Sequence, residues 1–527
     1  MFRPRCMFQN RLLRPGSTCS SSWGSRLSAS ILPKNTRERR ERFYHSTTRT
    51  DSTKLASRSY RLFLVTAVGY CGYLAWTVCS TEETAKPVTP ATEKKNLVVL
   101  GSSPLSEIGT GWGSVSFLRD LDIDNYNVSV ISPRNYFLFT PLLPSCTTGL
   151  VEEHSLMEPI RNFFKGKSAV AFYEAEATKV DPERRVVHIK RNPTTKGEVE
   201  QSEIPYDMMV VGVGADNATF KHSCFLKNAS DSQKIRTRLT DCIEAALYKG
   251  RSSDEIQKLL HFVVVGGGPT GVEFAAELQD YYKDSLRDRY PEIMDAFRIT
   301  LVEKLPNVLP MFSKQLTDYT ESALKSEAID VLTNASVKEV GEDGIKVEVT
   351  KPDGSKDIQA IPYGLLVWAA GNKQKGLIQN LASRLKGQQD SRRGLVVDDC
   401  LAVQGAQNIW AFGDCANSEL PPTAQVAHQQ GSYLAKVFNE MACTPSWGRA
   451  EIQPFDYNHQ GAMAYIGMDK AVADLNILGR NVASHGFFTF LFWKAAYLNM
   501  CLSGRSRFLV ATDWMKARVF GRNMFRE

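Results

Sequence analysis

Five hundred and twenty-seven residues, 43% hydrophobic and 23% charged with 36 glycines and 23 prolines, have globular composition and length for two or three domains, which excludes a disordered chain, a collagen and a coiled coil. The net charge of +7 is uneven, because Arg3, Arg5, Arg11, Arg14, Arg26, Arg37, Arg39, Arg40, Arg42 and Arg49 crowd the N-terminal end, so the chain as a whole is not read as a nucleic-acid binder. Eleven cysteines, no two of them spaced C-x-x-C, offer no disulfide framework, zinc site or redox-active pair.

Residues 1–50 are rich in Arg, Ser and Thr with Glu38 and Glu41 as the only acids before Asp51, the composition of a mitochondrial transit peptide. Residues 62–79 contain no ionisable Asp, Glu, Lys, Arg or His, and 18 such residues can cross a hydrocarbon core of roughly 30 Å, so one transmembrane helix is expected. Lys54, Arg58 and Arg61 precede it and Glu82 and Glu83 follow, which holds the N-terminal flank in the matrix and sends the rest to the other side. Residues 80–95, with Pro87 and Pro90, read as a linker.

A buried strand over 96–100 should run into a glycine turn and a helix. The turn Gly109-Thr110-Gly111-Trp112-Gly113-Ser114 does appear, but only after the extra stretch Gly101-Ser102-Ser103-Pro104-Leu105-Ser106-Glu107-Ile108. Removing either 101–108 or 102–109 would restore a strand-to-helix turn of ordinary length. Gly109, Gly111 and Gly113 are the candidate pyrophosphate glycines. The next strand, 126–131, ends in Ser132-Pro133-Arg134 without an acid, leaving Ser132 or Arg134 for the ribose.

The second unit is complete: strand 261–265, Gly266-Gly267-Gly268-Pro269-Thr270-Gly271, then a helical apolar pattern. Gly266 makes the turn, Gly268 admits the pyrophosphate and Gly271 lets helix approach strand. Glu303, closing the strand 298–302, suits both ribose hydroxyls and would repel a 2′-phosphate, which favours NADH over NADPH. Two further strands, over 206–215 and 363–372 with Gly371 in the second, would return the chain from a β-meander to its own nucleotide domain, and 408–412 ends in Gly413-Asp414. The fold class is therefore α/β with two Rossmann-type dinucleotide-binding domains: a first domain over 96–260 and 372–445, a second inserted over 261–371, and a C-terminal region over 446–527. Within that region 487–502 is aromatic, apolar and followed by Arg505, Arg507, Lys516 and Arg518, a pattern expected to lie in a membrane interface with Trp493, Tyr497 and Trp514 at headgroup depth.

Gly111-Trp112-Gly113, the run 132–144 (SPRNYFLFTPLLP), 263–273, Gly413-Asp414 and 421–429 (PPTAQVAHQ) together resemble the type II, rotenone-insensitive NADH:ubiquinone oxidoreductases of mitochondria, in the fungal external type. The resemblance runs from residue 96 to the C-terminus. It implies a non-proton-pumping, membrane-attached flavoenzyme that binds FAD in the first domain and NADH in the second and reduces ubiquinone. It also implies attachment to the mitochondrial inner membrane, here with the catalytic domain facing the intermembrane space, and a homodimer. By the same resemblance Asp414 meets the FAD ribityl or phosphate region and Glu273 lies near the nicotinamide and flavin. Gln425, His428 and Gln429, at i, i+3 and i+4 of a helix, would hydrogen-bond the quinone carbonyls. No D-x-[DN]-x-[DN]-G calcium loop occurs, and no metal site is expected. The competing readings are an NADH flavoprotein akin to ferredoxin reductases or to apoptosis-inducing factor, and a tethered flavoprotein-like scaffold that no longer binds FAD.

Overall fold

The computed structural model describes residues 94–101, 110–164, 170–191, 200–217, 221–385, 389–443, 452–477 and 480–524. The expected transit peptide, the transmembrane helix of 62–79, the linker up to residue 93 and Gly109 lie outside the described residues.

The first sheet has seven strands in the order Ile409–Ala411, Met208–Val211, Lys95–Leu100, Tyr126–Ser132, Val170–Asp181, Val186–Arg191 and Gln201–Pro205. The first five run parallel and the last three form an antiparallel meander. Leu97, Val98, Val99 and Leu100 are all fully buried, as a central parallel strand covered on both faces requires. Helix Trp112–Asp120 lies against this sheet and the long helix Ala424–Cys443 lies against that helix. The two approach so closely that a Cβ on Gly431 would stand 2.2 Å from the Gly113 carbonyl oxygen.

The second sheet is wholly parallel: Cys224–Phe225, Leu365–Trp368, His261–Val265, Arg298–Val302 and Ile329–Leu332. Its own antiparallel meander is Ala335–Val340, Gly344–Thr350 and Lys356–Pro362. Cys224–Phe225 belongs to this sheet, so the chain enters the second domain well before the expected boundary at 260/261. The crossing is a two-stranded ribbon in which Asp216 pairs with Lys373 and Asn217 with Asn372. A strand two residues long leaves no periodicity in the sequence, which is why the boundary was invisible there. Helix Ala229–Ala246 follows, opened by a reciprocal cap between Asn228 and Asp231.

After helix Ala424–Cys443 comes a third antiparallel sheet, Ala462–Gly467, Lys470–Ile477 and Arg480–Gly486, and then helices Phe487–Met500 and Gly504–Phe520. Among the described residues no helix is long and apolar enough to cross a membrane. Trp493, Tyr497 and Trp514 do not point outward as expected; all three are buried, because they pack on one another and on Tyr465 and Phe139. The outward residues are Phe487, Phe488, Leu491, Met500, Phe508, Met515, Val519 and Phe520.

Candidate active site

Both nucleotide turns end a buried parallel strand and open a helix whose N-cap is a glycine in extended conformation, Gly111 in the first half and Gly268 in the second. In the second half Gly266 leaves the strand at φ +116° and its N–H donates to Val302 O at 2.9 Å. A Cβ on Gly271 would lie 1.9 Å from Gly266 O, so helix and strand can only meet there through glycine. Glu303 accepts from the Gly267 and Leu305 amides, one on each oxygen, and is buried. Three orphan N–H groups at the helix start, those of Gly268, Thr270 and Gly271 since Pro269 has none, and a fixed carboxylate beside them make a site for a pyrophosphate and a ribose diol.

The first half repeats this with different residues. Gly101 holds the strand end: its N–H donates to Ile131 O at 2.8 Å, the counterpart of the Gly266 bond. Ser132 then stands where Glu303 stands in the second half, with its hydroxyl donating to Arg134 O at 2.8 Å. The third glycine of the fingerprint is replaced by Ser114, three residues past the N-cap. The missing space is supplied from the facing strand, since a Cβ on Gly212 would come within 2.4 Å of Ser114 Oγ. Gly113 serves a different contact, against the Phe412 ring at 2.5 Å and Ala427 O at 3.0 Å from a notional Cβ, and so packs the helix rather than making room for a pyrophosphate.

At the crossing ribbon two lysines are drawn into the interior. Lys227 donates to Ala215 O at 2.8 Å and lies 3.8 Å from the Asp414 carboxylate, while Lys375, fully buried, faces Asp216 at 3.5 Å. Burial pulls the Lys375 ammonium down to about 8, against the opposing pull of Asp216. Gly413 turns at φ +67° and its N–H is held by the buried Gln430 side chain at 2.7 Å, which fixes where Asp414 emerges. Gly371, at φ +73°, makes the matching turn after Leu365–Trp368.

Helix Ala424–Cys443 starts with Thr423 accepting from the Val426 amide. Gln425 accepts from the Tyr457 hydroxyl, and Gln429 clasps the Asn458 backbone, donating at 2.8 Å and accepting at 3.0 Å. His428 turns away from these two: its Nδ1 meets Ser116 Oγ at 2.6 Å. Ser116 spends its proton on Trp112 O at 2.8 Å, so Nδ1 is the donor and Nε2 is left as an acceptor. Burial pushes the imidazole pKa down and keeps it neutral.

Glu273 sits in the first half of helix Pro269–Tyr281, buried, with Oε1 accepting from the Tyr465 amide at 3.0 Å and from the Tyr497 hydroxyl at 3.5 Å. It is therefore one of the points at which the second nucleotide domain meets the C-terminal region. Burial, reinforced by Glu277, pushes its carboxyl up to about 8.

Comparison with known proteins decides the family. The pyridine nucleotide-disulphide oxidoreductase profile matches residues 108–431, and the NDH2 C-terminal domain profile matches 459–523. The external alternative NADH-ubiquinone oxidoreductase of Yarrowia lipolytica is 47% identical over 515 residues, covering 89% of this chain and 87% of its own. The external NADH-ubiquinone oxidoreductase 2 of Saccharomyces cerevisiae is 39% identical, covering 88% and 90%. This chain belongs to the type II NADH:ubiquinone oxidoreductases. The structure of NDH2 from Plasmodium falciparum in complex with NADH superposes with a TM-score of 0.74 at 29% identity, over 82% of this chain and all of the other.

FAD is the family's cofactor and NADH its substrate, and the residues of the first half fit a dinucleotide. Among the described residues, Thr110 Oγ1 and Ser114 Oγ, both buried at the start of helix Trp112–Asp120, have no hydrogen-bond partner, and nothing stands within 4 Å of a Cβ on the N-cap Gly111. Sequence reasoning missed Gly101, Gly212, Lys227, Lys375 and Gln430 at this site. The first was visible as the glycine ending an apolar run. The others are assembled from distant parts of the chain and left no local signal.

Proposed function

We propose that this type II enzyme oxidises NADH at the second nucleotide site and passes both electrons to ubiquinone at the mitochondrial inner membrane, without pumping protons. The buried Glu273 carboxylate carries the reading, because it joins the NADH-side helix to the C-terminal region that the family profile marks as its own. Bound FAD supplies the two-electron step between nicotinamide and quinone. The chain's residues do the rest. Gly266, Gly268 and Gly271 admit the NADH pyrophosphate, Glu303 accepts from the ribose hydroxyls, and Gly371 lets the return strand turn beside the nicotinamide. Gly111 opens the FAD helix, Gly113 lets it pack, and Ser132 with Arg134 meets the adenosine ribose. Gly413 aims Asp414 at the ribityl chain, and Lys227 balances its charge. Gln425 and Gln429 fasten residues 457–460 over the quinone-side helix, and His428 offers Nε2 to a quinol hydroxyl. No C-x-x-C pair is present to take electrons on a disulfide route.

We further infer that the exposed Phe487, Phe488, Leu491, Phe508, Met515, Val519 and Phe520, close in sequence to Arg505, Arg507, Lys516 and Arg518, lie against the membrane surface. The span 62–79 tethers the chain so that the catalytic domain faces the intermembrane space, and two copies associate through the C-terminal region. The test is NADH oxidation by mitochondria before and after rupture of the inner membrane, with ubiquinone as acceptor. Full activity in mitochondria whose inner membrane is intact is expected. Activity that appears only on rupture would place the domain in the matrix, and loss of quinone reduction with retained ferredoxin reduction would replace the acceptor.

A further inference from the structure

Helix Pro269–Tyr281 carries a second feature that the electron path does not use. Glu273, Glu277 and Asp280 stand at i, i+4 and i+7, on one stripe of the helix, and each is at least 95% buried. The stripe is roughly 10 Å long at 1.5 Å per residue. Glu273 lies toward the nucleotide turn. Asp280 lies behind the turn Gly467-Met468-Asp469, where Met468 is exposed and Asp469 half-buried. Its Oδ1 accepts from the Met468 amide at 3.0 Å and its Oδ2 from the Tyr465 hydroxyl. Tyr465 spans both ends, since its own amide holds Glu273. Between them Glu277 accepts from Ser145 at 2.8 Å, Thr148 at 3.3 Å and Arg522 at 2.7 Å.

The charges facing this stripe can be counted by element. The chain end contributes Arg522, which also reaches Asp284 at 3.7 Å. Helix Phe487–Met500 contributes Tyr497 and, less directly, Lys494, whose ammonium is held over the Phe490 and Trp514 rings. The hairpin contributes Tyr465 and Asp469, the latter paired with Arg518. Among the described residues only Arg522 forms an ion pair with the row, so there three buried carboxyls share one bonded cation. Such a cluster cannot hold all its charges in a medium of low polarity, and it retains protons near neutrality. Burial followed by Glu277 pushes Asp280 up to about 7, and Glu273 to about 8.

The reaction proposed above consumes one proton: NADH, H⁺ and quinone give NAD⁺ and quinol. We propose that this proton enters from solvent at Asp280, behind the Gly467–Asp469 turn, and passes along the Tyr465, Glu277 and Glu273 row toward the quinone. The inference rests on the quinone-reductase reading. Each turnover takes one proton from water at Asp280 and delivers one with the quinol, so the row ends with the charge it began with. Tyr465 is a positioning and relay residue, and its burial keeps the phenol protonated throughout.

The test compares two acceptors on the full-length enzyme in detergent. Short-chain ubiquinone needs the proton; ferricyanide takes electrons alone and releases a proton instead. Asp280→Asn is expected to slow quinone reduction on the order of tenfold at pH 8, with the deficit shrinking at pH 6 and partly rescued by added imidazole. NADH oxidation by ferricyanide stays within about twofold. Tyr465→Phe, which removes the hydroxyl and keeps the ring, should show the same pattern more weakly and carries the test if Asp280→Asn fails to fold. An equal loss with both acceptors, or an unchanged quinone rate at every pH, overturns the inference. If the unaltered enzyme reduced ferricyanide but not quinone, the functional reading itself would fall instead.

Discussion

The two nucleotide halves solve one geometric problem with different residues. In the second half the local sequence does everything: Gly266 turns, Gly268 caps, Gly271 admits the strand and Glu303 waits at the next strand end. In the first half the same positions hold Gly101, Gly111, Ser114 and Ser132, and the room that Ser114 takes is returned by Gly212 at the end of the facing strand. The correspondence continues along the helices. Five residues past each N-cap come Ser116 and Glu273, and each is a point where its domain meets a later part of the chain, Ser116 through His428 and Glu273 through Tyr465. A fingerprint is thus a requirement for space and donors at fixed places, and any part of the chain may meet it.

The largest test of that equivalence exchanges the glycines. Gly271→Ala forces a Cβ onto Gly266 O and should lower kcat/KM for NADH on the order of 100-fold, with FAD content kept, because a small-to-large change here costs about 1–3 kcal/mol. Gly212→Ala should do the reverse: several-fold loss of bound FAD, read by the flavin absorbance per protein. Adding Ser114→Gly to it should restore part of the flavin, because the Phe412 ring still lies 2.5 Å from the same Cβ. If the double variant is as empty as the single one, the Phe412 contact and not Ser114 decides what position 212 can hold.

A smaller effect concerns the strand ends. Glu303→Gln removes an acceptor for the ribose diol and a charge that opposes a 2′-phosphate, so the NADH-to-NADPH ratio of kcat/KM should fall by about tenfold, or about 1.4 kcal/mol. The first half, with Ser132 at that position, has no such charge to lose. An unchanged ratio would make Glu303 a mere acceptor for the Gly267 and Leu305 amides.

The third test addresses length. Gly266 and Gly268 are separated by one residue, whereas nine, 102–110, separate Gly101 from Gly111. The family profile also takes up only at residue 108, past the first strand. Deleting 102–109 leaves Gly101-Thr110-Gly111, equal in spacing to Gly266-Gly267-Gly268, and should tighten FAD binding by about 1 kcal/mol through loop closure. The same reasoning predicts that most transcripts lack these codons, which sequencing of the messenger RNA checks. Full FAD occupancy of the longer chain, with no gain on deletion, would show that the extra residues are neutral to the cofactor.

The sequence made the strands, the second fingerprint and the family legible, since those depend on residues within a few positions of one another. The domain crossing at Asp216–Asn217 was not legible, because a two-residue strand has no period. Lys227, Lys375 and Gln430 were invisible because the crossing ribbon and the helix Ala424–Cys443 bring them to Asp216, Asp414 and Gly413 from far along the chain. Gln425, His428 and Gln429 show the limit of periodicity: helical spacing placed them on adjoining positions, yet Gln425 and Gln429 hold residues 457–460 while His428 faces Ser116. The aromatic C-terminal helix misled for a related reason. Trp493, Tyr497 and Trp514 look like interface anchors in isolation, but the sheet hairpin carrying Tyr465 supplies an apolar partner that no local pattern announces.

The last difference between the halves is titration. Ser116 carries no charge, whereas Glu273 and Asp280 hold protons to about 8 and about 7, burial being the main cause in each. In the unfolded chain both carboxyls release their protons near pH 4. From there up to the folded values the native protein binds more protons than the unfolded one, so stability falls as pH rises and levels off above about 8. The slope is about 1 kcal/mol per pH unit where one such group is protonated only in the folded state. Thermal unfolding from pH 5 to pH 8 should therefore show a falling midpoint, and Glu273→Gln, which keeps an acceptor for the Tyr465 amide and carries no titrating proton, should flatten the upper part of that fall. Asp280→Asn should flatten the lower part. Parallel curves for the three proteins would mean that the second half titrates no differently from the first, and that the proton row is ionised throughout.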